Sequence, residues 1–397
     1  MLRKYWAKFG RDYQFLVLGW FFLGITLGLY DSSFNNYLND IFHLSAKMRS
    51  LIEFPRELPG FLVVFITGLL VLIPDVRMLG VALGMIGVGL LGQSCYLWQT
   101  SPSFNWMVFS MLIWSFGTHL SMPYMSSLPL KYAKEGRAGE ILGKLSGVNT
   151  TAYILGCGLI WLLMGWLHLS YDWVFRIAAL SAFLAAGYIL MIPVTEKKSE
   201  KKFELIFRKE YTLFYCLSIL FGARKQVFLT FAPWVLVKIY HQPATIIATL
   251  LLFSAVLGIV FKPWLGRMID WLGERQIIIC ESAILVLICL AYGWAGHLGL
   301  KEYVVDLVYL CFIMDQLLLA VTMARTTYLH KNLVVATDLT PTLSLGISMD
   351  HVVSMFVPIL GGLLWESYGY EIIFLAAAGV ALLNLVVATR IRAIKEV

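Results

Sequence analysis

Residues 211–237 read YTLFYCLSILFGARKQVFLTFAPWVLV, an apolar run with Arg224, Lys225 and Gln226 side by side at its middle. About 20 mostly apolar residues suffice to cross a bilayer as a helix, so the run reads as a membrane span. A charged side chain at the centre of such a helix costs roughly 2.5–3.5 kcal/mol on insertion scales, and it normally faces a wet cavity or a partner of opposite charge. The pair therefore predicts a polar cavity, or acidic partners, within the membrane-embedded part of the chain.

Composition points the same way. Of 397 residues, 59% are hydrophobic and 14% are charged, with a mean hydropathy of +0.78. A soluble domain carries about 25% charged residues. The formal charge of +7 does not indicate a nucleic-acid partner, because Lys and Arg cluster between apolar spans instead of lining one face. Cys95, Cys157, Cys216, Cys280, Cys289 and Cys311 fall inside apolar spans without a CxxC or paired His spacing. They read as small core residues, with no metal site and no disulfide framework. The start, MLRKYWAKFGRDYQFLVLGWFF, is basic like a signal peptide. Its apolar run is too long for such a peptide and lacks a small-residue cleavage pattern, so an uncleaved first membrane helix is expected.

Twelve spans are expected, at roughly 13–38, 46–73, 78–99, 104–130, 142–167, 172–193, 211–238, 244–264, 276–297, 302–325, 341–365 and 371–390. The long charged stretch Thr195 to Glu210, TEKKSEKKFELIFRKE, divides them into two halves. The expected organisation is a six-helix bundle over 1–194, a cytoplasmic loop over 195–210 and a second six-helix bundle over 211–397. With the N-terminus inside, inside segments hold 23 Lys and Arg, while outside loops hold Lys47, Arg49, Lys238 and Lys301. That bias predicts a multi-pass protein of the cell inner (plasma) membrane with both termini cytoplasmic. The cations left inside spans are Arg56, Arg176, Arg224 and Lys225.

The halves repeat. At an offset of 199, Gly147, Trp166, Tyr171, Phe175, Ala178 and Ala179 align with Gly346, Trp365, Tyr370, Phe374, Ala377 and Ala378. At an offset of 198, Gly60, Gly68 and Arg77 align with Gly258, Gly266 and Arg275. Parallel repeats of this kind place a binding site at their interface near the midplane. The loop Gly266-Arg-Met-Ile-Asp270-Trp-Leu-Gly273-Glu-Arg275 resembles the signature loop of the major facilitator superfamily, a Gly with Asp four later and a basic residue about nine later. The first-half copy keeps Gly68 and Arg77 but has Leu72 at the Asp position. With the repeat, the basic central loop and the Pro358-Ile-Leu-Gly361-Gly362 run, the resemblance extends over nearly the whole chain. It implies an all-α integral membrane fold of two six-helix bundles, with spans 1, 4, 7 and 10 lining a central cavity and spans 2, 5, 8 and 11 flanking it.

Polar residues fall on those spans. Span one ends with Asp31 and Asn35, four apart on one face. Span two carries Arg49, Glu53, Arg56, Glu57 and Gly60 at helical spacing, with Pro55 and Pro59 predicting a kink. His119 lies on span four, Asp315 and Gln316 on span ten, and Asp350 and His351 on span eleven. Counted from span centres at 1.5 Å per residue, His119, Arg224, Lys225, Asp315, Asp350 and His351 lie within about 5 Å of the midplane. Asp31, Glu53, Arg56 and Glu57 lie higher, in the outer half.

The expected roles follow the layers. Arg224, Lys225, Gln226, Asp315, Gln316 and His119 are candidates for substrate binding, and Asp350, His351 and Asp31 for proton coupling. Glu53, Arg56, Glu57 and Asn35 form an outer gate or an ion-pair network. Bland readings stand beside these: Asp315 and Asp350 neutralising Arg224 and Lys225 with no ligand, a core histidine at 119, and a fixed Asp350–His351 pairing. Adjacent helical residues point about 100° apart, so Arg224 and Lys225 cannot face one partner equally. Phe228, Phe231, Pro233 and Trp234 line the cavity or pack the core, and Arg325 and Arg267, near inner span ends, are expected to snorkel to lipid phosphates.

Gly139 to Gly143-Lys144 is one residue short of a phosphate loop and is followed by Leu145, and the sequence has no HExxH or GxSxG. No cofactor and no catalysis are expected. The reading is a secondary transporter of a small organic solute working by alternating access, anionic for its midplane cations and proton-coupled for Asp350 and His351. Its expected partners are that solute, protons or another coupling ion, and the lipid bilayer, with the chain acting as a monomer. The alternatives are a proton-driven exporter of drugs or cationic metabolites, using Asp31, Asp315 and Asp350, and a non-transporting membrane sensor on a transporter fold.

Overall fold

The computed structural model describes residues 10–69, 73–95, 103–132, 138–194, 207–297, 303–335 and 338–391. Leu72, Lys301 and most of the charged central stretch, 195–206, lie outside the described residues. Among those described the chain is helical, with no strand.

In the first half the helices are α1 Arg11–Phe42, α2 Ala46–Leu51, α3 Glu53–Leu69, α4 Asp75–Ser94, α5 Phe104–Ser127, α6 Ala138–Ile160 and α7 Tyr171–Leu190. The second half holds α8 Thr212–Lys238, α9 Ala244–Leu272, α10 Glu274–Trp294, α11 Val304–Leu318, α12 Thr322–Lys331, α13 Leu339–Tyr368 and α14 Glu371–Ala388. Among the described residues, 9 helical segments are long and apolar enough to cross a membrane. Helices α3, α5 and α8 fall outside that set and occupy the places of the second, fourth and seventh expected spans. Helix α3 is short, at 17 residues, because span two breaks at Ile52, and α8 carries Arg224 and Lys225 at its middle.

Several boundaries differ from expectation for local reasons. Span two breaks at Ile52, between α2 and α3. Pro55 has no N–H to donate to the Leu51 carbonyl, so the helix cannot run through that turn unbroken. The loop between spans eight and nine is almost entirely helical: α9 continues through Gly266 and Asp270 to Leu272, and Arg275 lies in the first turn of α10. The reversal rests on Gly273 alone, at φ 81, a left-handed conformation that glycine adopts without a Cβ penalty. Span ten runs on to Lys331 through a 3-10 turn at Leu319–Val321. The end of span five, Trp161–Trp166, winds as a π-helix. The repeat also shows in the backbone, since His43 and His241, 198 apart, both take positive φ, 49 and 53, in the turns after α1 and α8.

The chain divides into two compact units that do not follow its midpoint. One contains Met1–Phe42, Leu62–Lys202 and Pro243–Ala255; the other contains His43–Phe61, Phe203–Gln242 and Val256–Val397. Helices α3 and α9 therefore each contribute to both units. In the first unit, Gly24 and Gly28, a GxxxG pair, bring α1 onto α6: a Cβ on either would strike the carbonyl of Asn149 or Tyr153. Thr26 Oγ1 donates to Ala178 O at 3.2 Å and Ser181 Oγ to Phe22 O at 2.7 Å, pinning α7 to the same helix. In the second unit, Phe228, Phe231 and Trp234 are fully buried, and Phe228 packs edge-on against Tyr292 and Phe374. These aromatics of α8 are core. Asn384 Nδ2 donates to Ser282 Oγ at 2.9 Å and joins α14 to α10. Ser45, the N-cap of α2, donates to Glu366 Oε1 of α13 at 3.0 Å, docking that short helix.

Candidate functional site

The polar site of the second unit is built on α8. Arg224 and Lys225, about 100° apart around the helix, turn to different neighbours. Arg224 Nη2 lies 2.6 Å from Asp315 Oδ1 on α11, and Lys225 Nζ lies 2.6 Å from Asp350 Oδ2 on α13. Both acids named in the sequence as partners are thus in place, one for each cation. The pairs differ in access: the side chains of Arg224 and Asp315 are 4% and 2% exposed, those of Lys225 and Asp350 17% and 14%. Gly222 explains the second pair, since a Cβ there would lie 2.5 Å from Asp350 Oδ1 and 2.9 Å from its Cα. Three residues on, Lys225 shares that face and meets the carboxylate. Ser354 Oγ donates to Asp350 Oδ1 at 3.2 Å from one turn away on α13.

The Arg224–Asp315 contact is less complete than its length suggests. Asp315 Oδ1 accepts no aligned hydrogen bond, and Nη2 reaches the Asp315 carbonyl only at 3.4 Å. Nε and Nη1 of Arg224 are buried and have no hydrogen-bond partner among the described residues. The guanidinium also lies 5.7 Å from the Phe228 ring. A buried donor left unmade costs about 1–3 kcal/mol, so this arginine is held in place with binding capacity to spare.

Above it runs an ionic ladder on α2 and α3. Arg49 pairs with Glu53, Arg56 Nε lies 2.8 Å from Glu53 Oε2, and Arg56 Nη2 lies 3.4 Å from Glu57 Oε1. Arg56 is therefore answered on its own helix. Two side chains tie the ladder to the α8 layer: Gln226 Nε2 donates to Glu53 Oε2 at 2.8 Å, and His351 Nδ1 lies 2.9 Å from Glu57 Oε2. Gln226 Nε2 is also 3.1 Å from Thr230 Oγ1, so this amide spends its donors within the protein. Gln316 is half-buried and joins none of these pairs.

Of the other expected residues, His119, Asp31 and Asn35 lie in the first unit and the signature segment in the second. His119 is buried on α5, with Nδ1 2.9 Å from the Ser115 carbonyl and 3.1 Å from its hydroxyl. Asp31 is exposed on α1 and accepts from Tyr153 OH of α6 at 3.2 Å, with Asn35 half-buried one turn away. In the signature segment, Gly266 and the exposed Asp270 lie on α9, while Glu274, beside Arg275, pairs with Lys331 Nζ at 2.9 Å.

One expectation is corrected. Arg325 does not snorkel: it is 3% exposed, its Nη2 lies 3.3 Å from Glu281 Oε1, and its guanidinium stacks 4.0 Å over the ring of Phe221. The cause is the extension of α12 to Lys331, which sets Arg325 deeper than the expected span end allowed. Glu281, 2% exposed, is the acid that sequence reasoning passed over. The signal was present, a single carboxylate within the apolar run of span nine.

A sequence model of the Major Facilitator Superfamily matches residues 16–337. No curated protein sequence matches the chain significantly. Among solved structures, the nucleoside transporter NupG is similar with a TM-score of 0.74 at 13% identity, covering 96% of this chain and 99% of its own. A bacterial homologue of the iron transporter ferroportin, in an inward-facing state, gives 0.73 at 14%, covering 96% and 98%. A D-xylose-proton symporter gives 0.70 at 14%, covering 96% and 97%. At such identities the likeness is one of fold.

Proposed function

The chain belongs to the major facilitator superfamily, and on that premise we propose that it is a secondary active transporter of a small organic anion, coupled to protons and working by alternating access. The family and its multiple membrane-spanning helices make it a multi-pass membrane transporter. The proposed setting is the cell inner membrane with both termini cytoplasmic, residues 1–194 and 211–397 serving as the two repeating halves of a monomer. The observation that carries the anion is Arg224, buried at midspan with Nε and Nη1 unanswered by the protein.

Coupling follows from charge balance. Arg224, Lys225, Arg49 and Arg56 each have an acid in reach, so the membrane interior without solute starts close to neutral. A lone anion would unbalance it at the cost of a buried charge. A proton taken by Asp350 leaves the charge of Lys225 unbalanced, and the anion received at Arg224, next to it on α8, balances that charge; proton and anion travel together because either alone leaves an uncompensated charge. Lys225–Asp350, the more exposed of the two pairs, is suited to this exchange. The same pairings favour an anion over the cationic-drug alternative, since Asp315 and Asp350 are already occupied by protein cations.

Asp350→Asn in proteoliposomes tests the coupling. Uptake should lose its dependence on a pH gradient while counterflow exchange of the same anion survives. Gradient-driven uptake at wild-type level would reject Asp350 as the coupling residue.

A further inference from the structure

Beneath the Arg224 layer, the Arg325–Glu281 pair is built in the same manner and has no assigned role. Each arginine is 3% exposed, each faces one carboxylate through Nη2, and each keeps Nε and Nη1 buried with no hydrogen-bond partner among the described residues. The placement of Arg325 relative to Arg224 follows from α8. The Arg325 guanidinium stacks 4.0 Å over Phe221. Phe221 precedes Arg224 by three residues, one helical turn, so the two share a face with about 5–6 Å between their Cβ atoms. Two guanidinia, each held from one side by its own acid, therefore meet the same face of α8 one turn apart.

We propose that Arg224 and Arg325 form a two-cation receptor for a solute carrying two negative charges, on two carboxylates or on one phosphoryl group. This deepens the anion reading given above and rests on it. Two planar guanidinia with unspent N–H pairs suit bidentate recognition of carboxylate or phosphate, a task that a lysine point charge performs less well. A purely structural pair has no need of this arrangement, because a buried ion pair is replaceable by apolar groups of similar volume with little loss. The rings of Phe221 and Phe228 lie 4.0 Å and 5.7 Å from the guanidinia of Arg325 and Arg224.

The test compares succinate, glycerol 3-phosphate and butyrate binding to the purified full-length chain by titration calorimetry at neutral pH. Succinate, glycerol 3-phosphate or both should bind about tenfold or more tightly than butyrate, as expected for one added charge-assisted contact. The paired substitution Arg325→Met with Glu281→Gln removes both charges and avoids a stranded carboxylate. In that variant, checked for an unchanged elution profile and thermal midpoint, binding of the doubly charged probes should fall to the butyrate level while butyrate is unaffected. Tight succinate alone assigns a dicarboxylate, and tight glycerol 3-phosphate alone a phosphate monoester. Equal affinity for all three probes, or a preference that survives in the paired variant, overturns the two-cation receptor and leaves the anion reading standing if Arg224→Ala still abolishes butyrate binding. Failure of all three probes to bind overturns both.

Discussion

At the scale of single residues, the site depends on close approach as much as on charge. Gly222 lets Asp350 settle onto α8, and Lys225 meets it because three residues bring it to the same face. A methyl group there has no room. Gly222→Ala should separate the Lys225–Asp350 pair and destabilise the protein by about 1–3 kcal/mol, the usual cost of overpacking. The checks are a lower thermal midpoint in detergent and weaker gradient-driven uptake; a variant with wild-type values for both would contradict this account of the pair. Arg224→Lys distinguishes fork from charge: a lysine keeps the cation but loses the planar donors, so anion binding should weaken by about tenfold or more instead of surviving intact.

These residues also show how far the sequence could be read. Helical period and depth put Arg224 and Lys225 level with Asp315 and Asp350, and the structure joins them. Pairing order was not readable, because it depends on how α11 and α13 are placed around α8. Arg325 was misplaced for a definite reason: a 3-10 turn and an extra stretch of helix moved it inward, and no residue pattern at 326–331 announces that extension. Gln226–Glu53 joins groups 173 apart in sequence across a helix broken at Ile52, a contact fixed only by tertiary packing.

Among the elements, α2 is the most exposed to test. It is 6 residues long, too short to hold its form without packing, and it is held by its Ser45 cap, the Ser45–Glu366 hydrogen bond and the absence of a side chain at Gly362. A Cβ at 362 would run into the Ser50 hydroxyl and lie 3.1 Å from Lys47 Cα. Gly362→Val should therefore lift α2 from α13. A lower thermal midpoint of Gly362→Val in detergent is the check; a wild-type midpoint would show that the docking does not depend on Gly362. The break that frees α2 was legible in Pro55, although its exact turn was not. The signature segment was legible as a motif and illegible as structure, because only one residue, Gly273, leaves the helical conformation.

For the whole molecule, the proposed coupling makes the balance of buried charge set the transport stoichiometry. If each negative charge on the solute is matched by one carboxylate taking a proton, the loaded and empty protein carry the same charge. Uptake into proteoliposomes should then follow an imposed pH gradient and be insensitive to an imposed membrane potential. A response to potential alone would mean that charge crosses uncompensated. Composition, spans and the internal repeat carried the membrane fold, whereas the substrate did not follow from fold, since similar structures include a nucleoside transporter, a D-xylose-proton symporter and a bacterial homologue of an iron transporter.

If Arg224 receives the anionic group of the solute, binding of that anion depends on its guanidinium. The most direct measurement is the affinity of purified wild-type protein and Arg224→Ala for an anion that stabilises the wild type in a thermal-shift panel of anions, amines and sugars at two pH values. An anion should lead the panel, and its binding should be lost in Arg224→Ala. An unchanged affinity in the variant, or an amine as the stabilising ligand, would contradict it.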